Sequence, residues 1–228
     1  MDKKVFNREI FTLTDKWGES YLLDSLPTEV YSSLDNLVEE LKTSSNLTPY
    51  NYGLSGQLDK EFLIDYSSNI TDYIKKTMIY YIKNNQNWFY RLLEPFVKEI
   101  TPHLNFTFPY KHWVNFQAKH EYNPQHAHSG LLSYVIWHKI PYKIEDEIKK
   151  GPGKAKLIDN KQTNFNGCFT FSTATDGMIK HQFLEVDKTW NGTIAIFPSS
   201  LHHNVYPFYS SDDYRITFSG NLFLDLKK

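Results

Sequence analysis

The sequence predicts a mainly β protein of the α+β kind, a sandwich or barrel with supporting helices in its N-terminal part. Beyond about residue 105, short runs rich in aromatic and β-branched residues alternate with turn-forming clusters, which is typical of strands. Before that point the strongest periodicity is helical. No linker-like segment separates the two parts. We therefore expect one domain over residues 1–228, with a helical part at about 1–104 and a β core at about 105–226.

Two stretches of the N-terminal part place apolar residues at helical spacing. Residues 34–41 have leucine or valine at positions i, i+3, i+4 and i+7, and residues 74–82 have isoleucine, methionine or tyrosine at positions i, i+4, i+7 and i+8. Ser32 offers a capping-box-like start to the first helix, and Thr71 or Asp72 a cap to the second. Both helices are expected to pack on the β core.

The β core is predicted from runs that are bounded by turn residues. Asp176-Gly177 and Asn191-Gly192 are turn dipeptides between such runs. A further strand is expected near the N-terminus, at 5–13. The strands predicted in the core lie at 106–117, 131–138, 165–173, 178–186, 193–197 and 214–224.

Composition excludes several classes of protein. The formal net charge is −1, so the chain has no overall electrostatic attraction to nucleic acid or to an anionic membrane. No stretch approaches the roughly 18 apolar residues of a membrane span, and the N-terminus lacks the apolar run of a secretory signal. The single cysteine, Cys168, allows no intrachain disulfide. These features predict a cytosolic protein.

Two histidines two residues apart form the first candidate metal-binding element. In an extended segment, the side chains of His126 and His128 lie on the same face, so both imidazoles can approach one ion. Imidazole suits iron, zinc, copper and nickel. The alternative is a polar turn that happens to carry two histidines.

A second histidine pair and one arginine follow later in the chain. If the segment after Pro198 is extended, His202 and His203 point to opposite faces, and parity alone does not choose between them. Arg215 shares a face with Thr217 on a strand of alternating polar and apolar residues. An arginine on a core strand requires an anionic partner, and a carboxylate matches its planar fork. The alternative is an arginine that pairs with an acidic residue on a surface strand.

The order and spacing of five motifs resemble a known family. Over residues 105–225 the chain resembles a family of 2-oxoglutarate/Fe(II) oxygenases known from bacteria and marine phages, relatives of the prolyl hydroxylases. The matching features are Trp-Val-Asn at 113–115, His-Ala-His at 126–128, Ser-Tyr-Val-Ile-Trp at 133–137, Phe-Pro-Ser-Ser-Leu-His-His at 197–203 with Val205 and Pro207, and Arg-Ile-Thr-Phe-Ser at 215–219.

The resemblance implies a double-stranded β-helix, or jelly roll, that binds Fe(II) and the small-molecule co-substrate 2-oxoglutarate. Such an enzyme couples the decarboxylation of 2-oxoglutarate to succinate with the hydroxylation of a substrate, which the sequence does not identify. The resemblance assigns the metal to His126, His128 and His203, with His203 preferred over His202. It assigns the far carboxylate of 2-oxoglutarate to Arg215. The further candidates for co-substrate or substrate binding are Thr217, Asn115, Tyr122 and Tyr134.

The sequence departs from the wider superfamily at one ligand. The usual set is two histidines and one carboxylate, and His128 occupies the carboxylate position. Glu121 is an alternative source of a carboxylate.

Two other functions stay open from the sequence alone. One is a cupin-like three-histidine metalloenzyme that does not use 2-oxoglutarate. The other is a non-catalytic jelly-roll binding module with a groove lined by Trp113, Trp137 and Trp190.

Overall fold

The computed structural model describes residues 2–13, 19–53, 55–85, 105–109, 111–152, 157–158, 161–162, 165–175 and 177–225. Its helices are α1 (Thr28–Thr43), α2 (Ser68–Asn84) and α3 (Ile144–Lys150). Its strands are β1 (Glu9–Thr12), β2 (Ser20–Ser25), β3 (Thr48–Pro49), β4 (Glu61–Ile64), β5 (Asn105–Thr107), β6 (His112–Gln117), β7 (Asn123–His126), β8 (Leu132–Lys139), β9 (Leu157–Ile158), β10 (Lys161–Gln162), β11 (Phe169–Thr175), β12 (Met178–Leu184), β13 (Thr193–Pro198), β14 (His202–Val205) and β15 (Arg215–Asp225).

Two antiparallel sheets form the body of the protein. The larger sheet has the strand order β1-β2-β13-β8-β15-β6-β4-β3, with β5 paired to β15, and the smaller sheet has the order β12-β11-β14-β7. In the C-terminal part, β6, β8, β13 and β15 belong to the larger sheet, and β7, β11, β12 and β14 belong to the smaller sheet. This arrangement is the jelly roll that the sequence predicted.

The strands β2, β8 and β13 of the larger sheet divide their side chains between two cores. On β8, Val135 and Trp137 pack between the two sheets with Phe169 and Phe171 of the smaller sheet. Ile136 is directed to the other face and packs with the helices. The larger sheet therefore separates a helix-side core from the space between the sheets, and that space contains the candidate site.

The predicted helices are present, but both begin earlier than expected. Helix α1 follows Pro27 and buries Val30 one turn before the predicted apolar run. Helix α2 begins after Ser67 and buries Ile70 in the same way. In each helix the apolar stripe extends one turn further towards the N-terminus than predicted. The polar residues that were predicted as N-caps therefore lie inside the helix.

None of the helices in the described ranges has the length and apolar character needed to cross a bilayer.

The strands differ from the predicted set mainly where the sequence shows no alternation. The predicted strand at 106–117 divides into β5 and β6. Strand β7 was not predicted, because its sequence Asn-Pro-Gln-His carries no apolar pattern. The N-terminal part also contributes strands: β1 and β2 extend the larger sheet beyond β13, and β3 and β4 extend it beyond β6. The region before the β core is thus only partly helical.

Candidate metal centre and co-substrate site

Three imidazoles meet between the sheets. His126 ends β7 and lies directly opposite His203 of β14 in the strand register. His128 follows two residues later, where its backbone N–H donates to the carbonyl of Ser199 at 2.8 Å. One ring nitrogen from each of these histidines lies within 4.8 Å of the others. We call His126, His128 and His203 the histidine cluster.

Backbone carbonyls orient two rings of the cluster. The Nδ1 atom of His126 lies 2.6 Å from the carbonyl oxygen of Pro124, and that of His203 lies 2.9 Å from the carbonyl oxygen of Leu201. A carbonyl oxygen can only accept a hydrogen bond, so each Nδ1 carries the proton. Each Nε2 then presents its lone pair, which is the arrangement that metal-binding histidines commonly have.

Burial keeps the cluster uncharged. Desolvation, together with the neighbouring His126, lowers the pKa of His128 to about 3. Desolvation also holds the pKa of His203 well below its ordinary value, and the other two rings of the cluster act in the same direction. The ring of Phe169 stacks on His203 with centroids 5.6 Å apart. Neutral imidazoles are the form that binds a metal ion.

The donor set fits a divalent transition metal. Three neutral imidazoles suit Fe(II), although the same set also suits zinc, copper or nickel. Glu121 does not join the cluster in the described part of the chain. Its two carboxylate oxygens accept hydrogen bonds from the backbone N–H groups of Asp59 at 3.0 Å and Ala118 at 2.7 Å. His202, next to His203, is exposed and lies outside the cluster.

A buried arginine closes the other side of the same cavity. Arg215 begins β15 and is 1% exposed. One terminal nitrogen donates to the hydroxyl of Tyr142 at 3.0 Å and to the carbonyl of Gly167 at 3.1 Å. Its Nε and its other terminal nitrogen have no partner among the described residues. A buried guanidinium with two unpaired donors is costly, so this geometry calls for an anionic ligand.

Two polar residues beside Arg215 were predicted as binding residues and line the cavity. Thr217 lies two residues further along the same face of β15, and Asn115 lies opposite it on β6. The side-chain amide of Asn115 donates to the Thr217 hydroxyl at 3.4 Å. The carbonyl oxygen of that amide is buried and has no partner in the described ranges.

The two predicted tyrosines are placed differently. The hydroxyl of Tyr134 contacts Nδ1 of His112 at 2.8 Å and the hydroxyl of Tyr66 at 3.2 Å, within the helix-side core. Tyr122 is 41% exposed and forms an isolated backbone bridge with Gln57. The structure thus brings Arg215, Thr217 and Asn115 to the histidine cluster. Tyr134 also lines the cavity, but its hydroxyl is bonded within the helix-side core, and Tyr122 is not among the lining residues.

Tyr142 and Gly167 were missed by sequence reasoning. Both orient the guanidinium of Arg215, and the hydroxyl of Tyr142 also donates to the Gly167 carbonyl at 2.8 Å. Tyr142 follows a strand in a segment without periodicity, and the contribution of Gly167 is a backbone carbonyl. Neither feature has a sequence signal that could have identified it.

Facing antiparallel sheets with this interstrand order define a protein of the double-stranded β-helix class, here with a candidate metal centre between the sheets. Residues 111–221, just under half of the chain, match the family described as "Putative 2OG-Fe(II) oxygenase". Over this segment the chain is similar to the 2OG-Fe(II) oxygenases, oxidoreductases that use Fe(II) and the co-substrate 2-oxoglutarate. The match favours this class over the two alternatives that the sequence left open.

Two solved structures are similar to this chain at low sequence identity, and the first of them shows the fold. A prolyl-4-hydroxylase from Pseudomonas putida is 12% identical with a TM-score of 0.50, and the match covers 90% of this chain and 92% of that one. A prolyl hydroxylase from Trichoplax adhaerens, in complex with a hypoxia inducible factor peptide fragment, is 11% identical with a TM-score of 0.48 and coverages of 90% and 82%. Among curated proteins, no sequence matches significantly.

Proposed function

We propose that the protein is a dioxygenase in which the histidine cluster holds Fe(II) and Arg215 binds the distal carboxylate of 2-oxoglutarate. One observation supports these assignments above all. Three uncharged imidazoles and a buried guanidinium with two unpaired N–H donors line the same cavity. The histidine cluster and Arg215 together match a ligand that carries a metal-chelating group at one end and a carboxylate at the other.

The orientation of Arg215 suits this role. Tyr142 and Gly167 engage one terminal nitrogen, so that Nε and the other terminal nitrogen remain for a carboxylate. Two parallel N–H···O bonds from one edge of a guanidinium are the strongest way to bind a carboxylate. The hydroxyl of Thr217, on the same strand face, can donate a third hydrogen bond.

The remaining cavity wall limits access of water. Val135, Trp137, Phe169 and Phe197 line it with apolar surface, and all four are buried. When bound, Fe(II) would supply the activation of dioxygen, and the protein would supply a fixed ligand geometry and a dry cavity. The prime substrate would be hydroxylated in this cavity.

The proposal also includes a cytosolic location and no nucleic-acid partner. Cys168 is buried and is the single cysteine of the sequence, which suits a reducing compartment. The net charge of −1 provides no overall attraction to a polyanion.

Replacement of Arg215 tests the assignment. Arg215→Met keeps much of the side-chain volume and removes the charge. We expect the variant to bind Mn(II), an unreactive substitute for Fe(II), as the wild type does, but to lose the thermal stabilisation by 2-oxoglutarate and the release of succinate. Arg8→Met is the control, because Arg8 is paired with Asp24 on β2, outside the cavity. Undiminished stabilisation and succinate release by Arg215→Met would contradict the proposal.

A further inference from the structure

A buried carboxyl group on β4 has no role in the site described so far. Glu61 is 0% exposed, and neither of its carboxylate oxygens has a hydrogen-bond partner among the described residues. Residues of this type are rarely buried without a partner, because transfer of a carboxylate from water to a protein interior is costly. Such a group requires a partner, and the described part of the chain does not supply one.

Strand pairing places Glu61 on the face of the larger sheet that borders the cavity. It lies directly opposite Asn115 in the pairing of β4 with β6. Paired residues of neighbouring strands project to the same face, and the side chain of Asn115 lines the cavity. A Cβ atom placed on Gly56 would lie 3.0 Å from Oε1 of Glu61 and 2.9 Å from Oδ1 of Asn123, so these two oxygens lie close together. Asn123 also lines the cavity.

These side chains form a set of unsatisfied acceptors. The carbonyl oxygens of the Asn115 and Asn123 side chains are buried and, like the Glu61 carboxylate, lack a donor within the described ranges. Gln117 could have supplied one, but its amide donates to the backbone carbonyl of Glu121 at 2.7 Å. Acceptors without donors call for a ligand that is rich in N–H groups.

We propose that Glu61, Asn115 and Asn123 form a subsite that binds an ammonium or guanidinium group of the prime substrate. The inference rests on the proposed function, since it places this group beside the histidine cluster of an oxygenase. A nitrogen cation offers several N–H donors and the positive charge that a buried carboxylate lacks. An apolar substrate would leave all of the acceptors unpaired.

The electrostatics of Glu61 agree with this assignment. Burial, together with the nearby carboxylate of Glu121, raises the pKa of Glu61 to about 7. No cation of the described residues forms a salt bridge with Glu61. A bound cation would stabilise the ionised carboxylate by the charge pairing that the empty subsite does not have.

Matched probes can test the subsite in the complete chain with Mn(II) and 2-oxoglutarate bound. Butylguanidinium and butylurea have nearly the same shape and differ in charge. Titration calorimetry should show the wild type binding butylguanidinium at least about tenfold more tightly than butylurea, which corresponds to 1.4 kcal/mol. Glu61→Gln should remove this preference. Glu9→Gln, which changes an exposed strand glutamate, should retain it.

Further measurements make the test decisive. Asn123→Leu should reduce the preference as well, so the test does not depend on the folding of one variant. Equal binding of both probes by the wild type, or an unchanged preference in Glu61→Gln, would overturn the subsite. Binding of Ca²⁺ that Glu61→Gln abolishes would assign a metal site instead and would also overturn it. Failure of the proposed function is seen separately, as a lack of 2-oxoglutarate-dependent stabilisation in the wild type.

Discussion

Two backbone carbonyls and one strand register determine which ring nitrogens of the histidine cluster can bind a metal ion. The backbone carbonyls of Pro124 and Leu201 select the tautomers of His126 and His203 in which Nδ1 carries the proton. The register of β14 directs His203 inward and leaves His202 exposed. Since adjacent strand residues project to opposite faces, only one member of the pair can reach a common ion.

The two adjacent histidines give the sharpest test at the residue scale. His203→Ala should weaken Mn(II) binding by more than the roughly 10–100-fold that loss of an outer partner costs, because it removes a ligand. His202→Ala should bind Mn(II) as the wild type does. The signal of free Mn(II) in electron paramagnetic resonance titrations measures both. The opposite result would mean that the register of β14 is misassigned.

A buried histidine outside the site should make stability depend on pH. Desolvation lowers the pKa of His112 to about 4, with Lys75 lowering it and Asp65 opposing the shift. The unfolded chain therefore binds a proton more readily than the folded one between about pH 6.5 and pH 4. This contribution to stability is complete above about pH 6.5 and is lost as the pH falls towards 4.

Comparison of two variants isolates the contribution of His112. From pH 7 to pH 5, the free energy of unfolding of the wild type should fall by about 2 kcal/mol more than that of His112→Gln. His181→Gln, a change at an exposed histidine, should follow the wild type. Urea unfolding of the metal-free protein at both pH values measures these differences. A parallel fall in the wild type and His112→Gln would contradict the prediction.

At the scale of elements, helix α3 holds the segment that leads into β15. The carboxylate of Glu147 is buried and accepts hydrogen bonds from the backbone N–H groups of Tyr209 at 2.7 Å and Ser210 at 2.9 Å. This segment ends at Arg215, whose side chain must point into the cavity. The contact between α3 and the segment therefore supports the position of the guanidinium.

Loss of this contact should be measurable. Glu147→Gln retains one acceptor oxygen but loses the charge, so the free energy of unfolding should fall by about 1–3 kcal/mol. The affinity for 2-oxoglutarate should fall with it, because the entry to β15 is loosened. Glu145→Gln, at an exposed position of the same helix, is the control. Unchanged stability and affinity in Glu147→Gln would show that the segment is held by other contacts.

The elements were predictable to the extent that their sequences are periodic. The apolar stripes of α1 and α2 and the aromatic runs of β8, β13 and β15 gave these elements their correct type. Strand β7 was not predictable from pattern, because its polar residues pair with β14 only in the folded sheet. The N-terminal strand β4 is short and was also missed, and with it the buried carboxyl group of Glu61.

At the scale of the whole molecule, the larger sheet separates a structural core from the site. Met78 of α2 is fully buried in the helix-side core, across the sheet from the cavity. Met78→Ala should lower the free energy of unfolding by about 2–5 kcal/mol and leave the affinity for Mn(II) unchanged. Lys76→Ala, at an exposed position of α2, should change neither. A large loss of Mn(II) affinity in Met78→Ala would show that the two cores are coupled.

The sequence by itself determined the fold class and identified the histidine pair His126 and His128, together with Arg215, as candidate ligand-binding residues. These features depend on local spacing, strand periodicity and the cost of burying a charge, all of which can be read along the chain. Only the tertiary structure decided that His203 meets the pair and that Tyr134 is directed to the helix-side core. It alone placed Glu61 opposite Asn115, because strand pairing brings together residues that are distant in sequence.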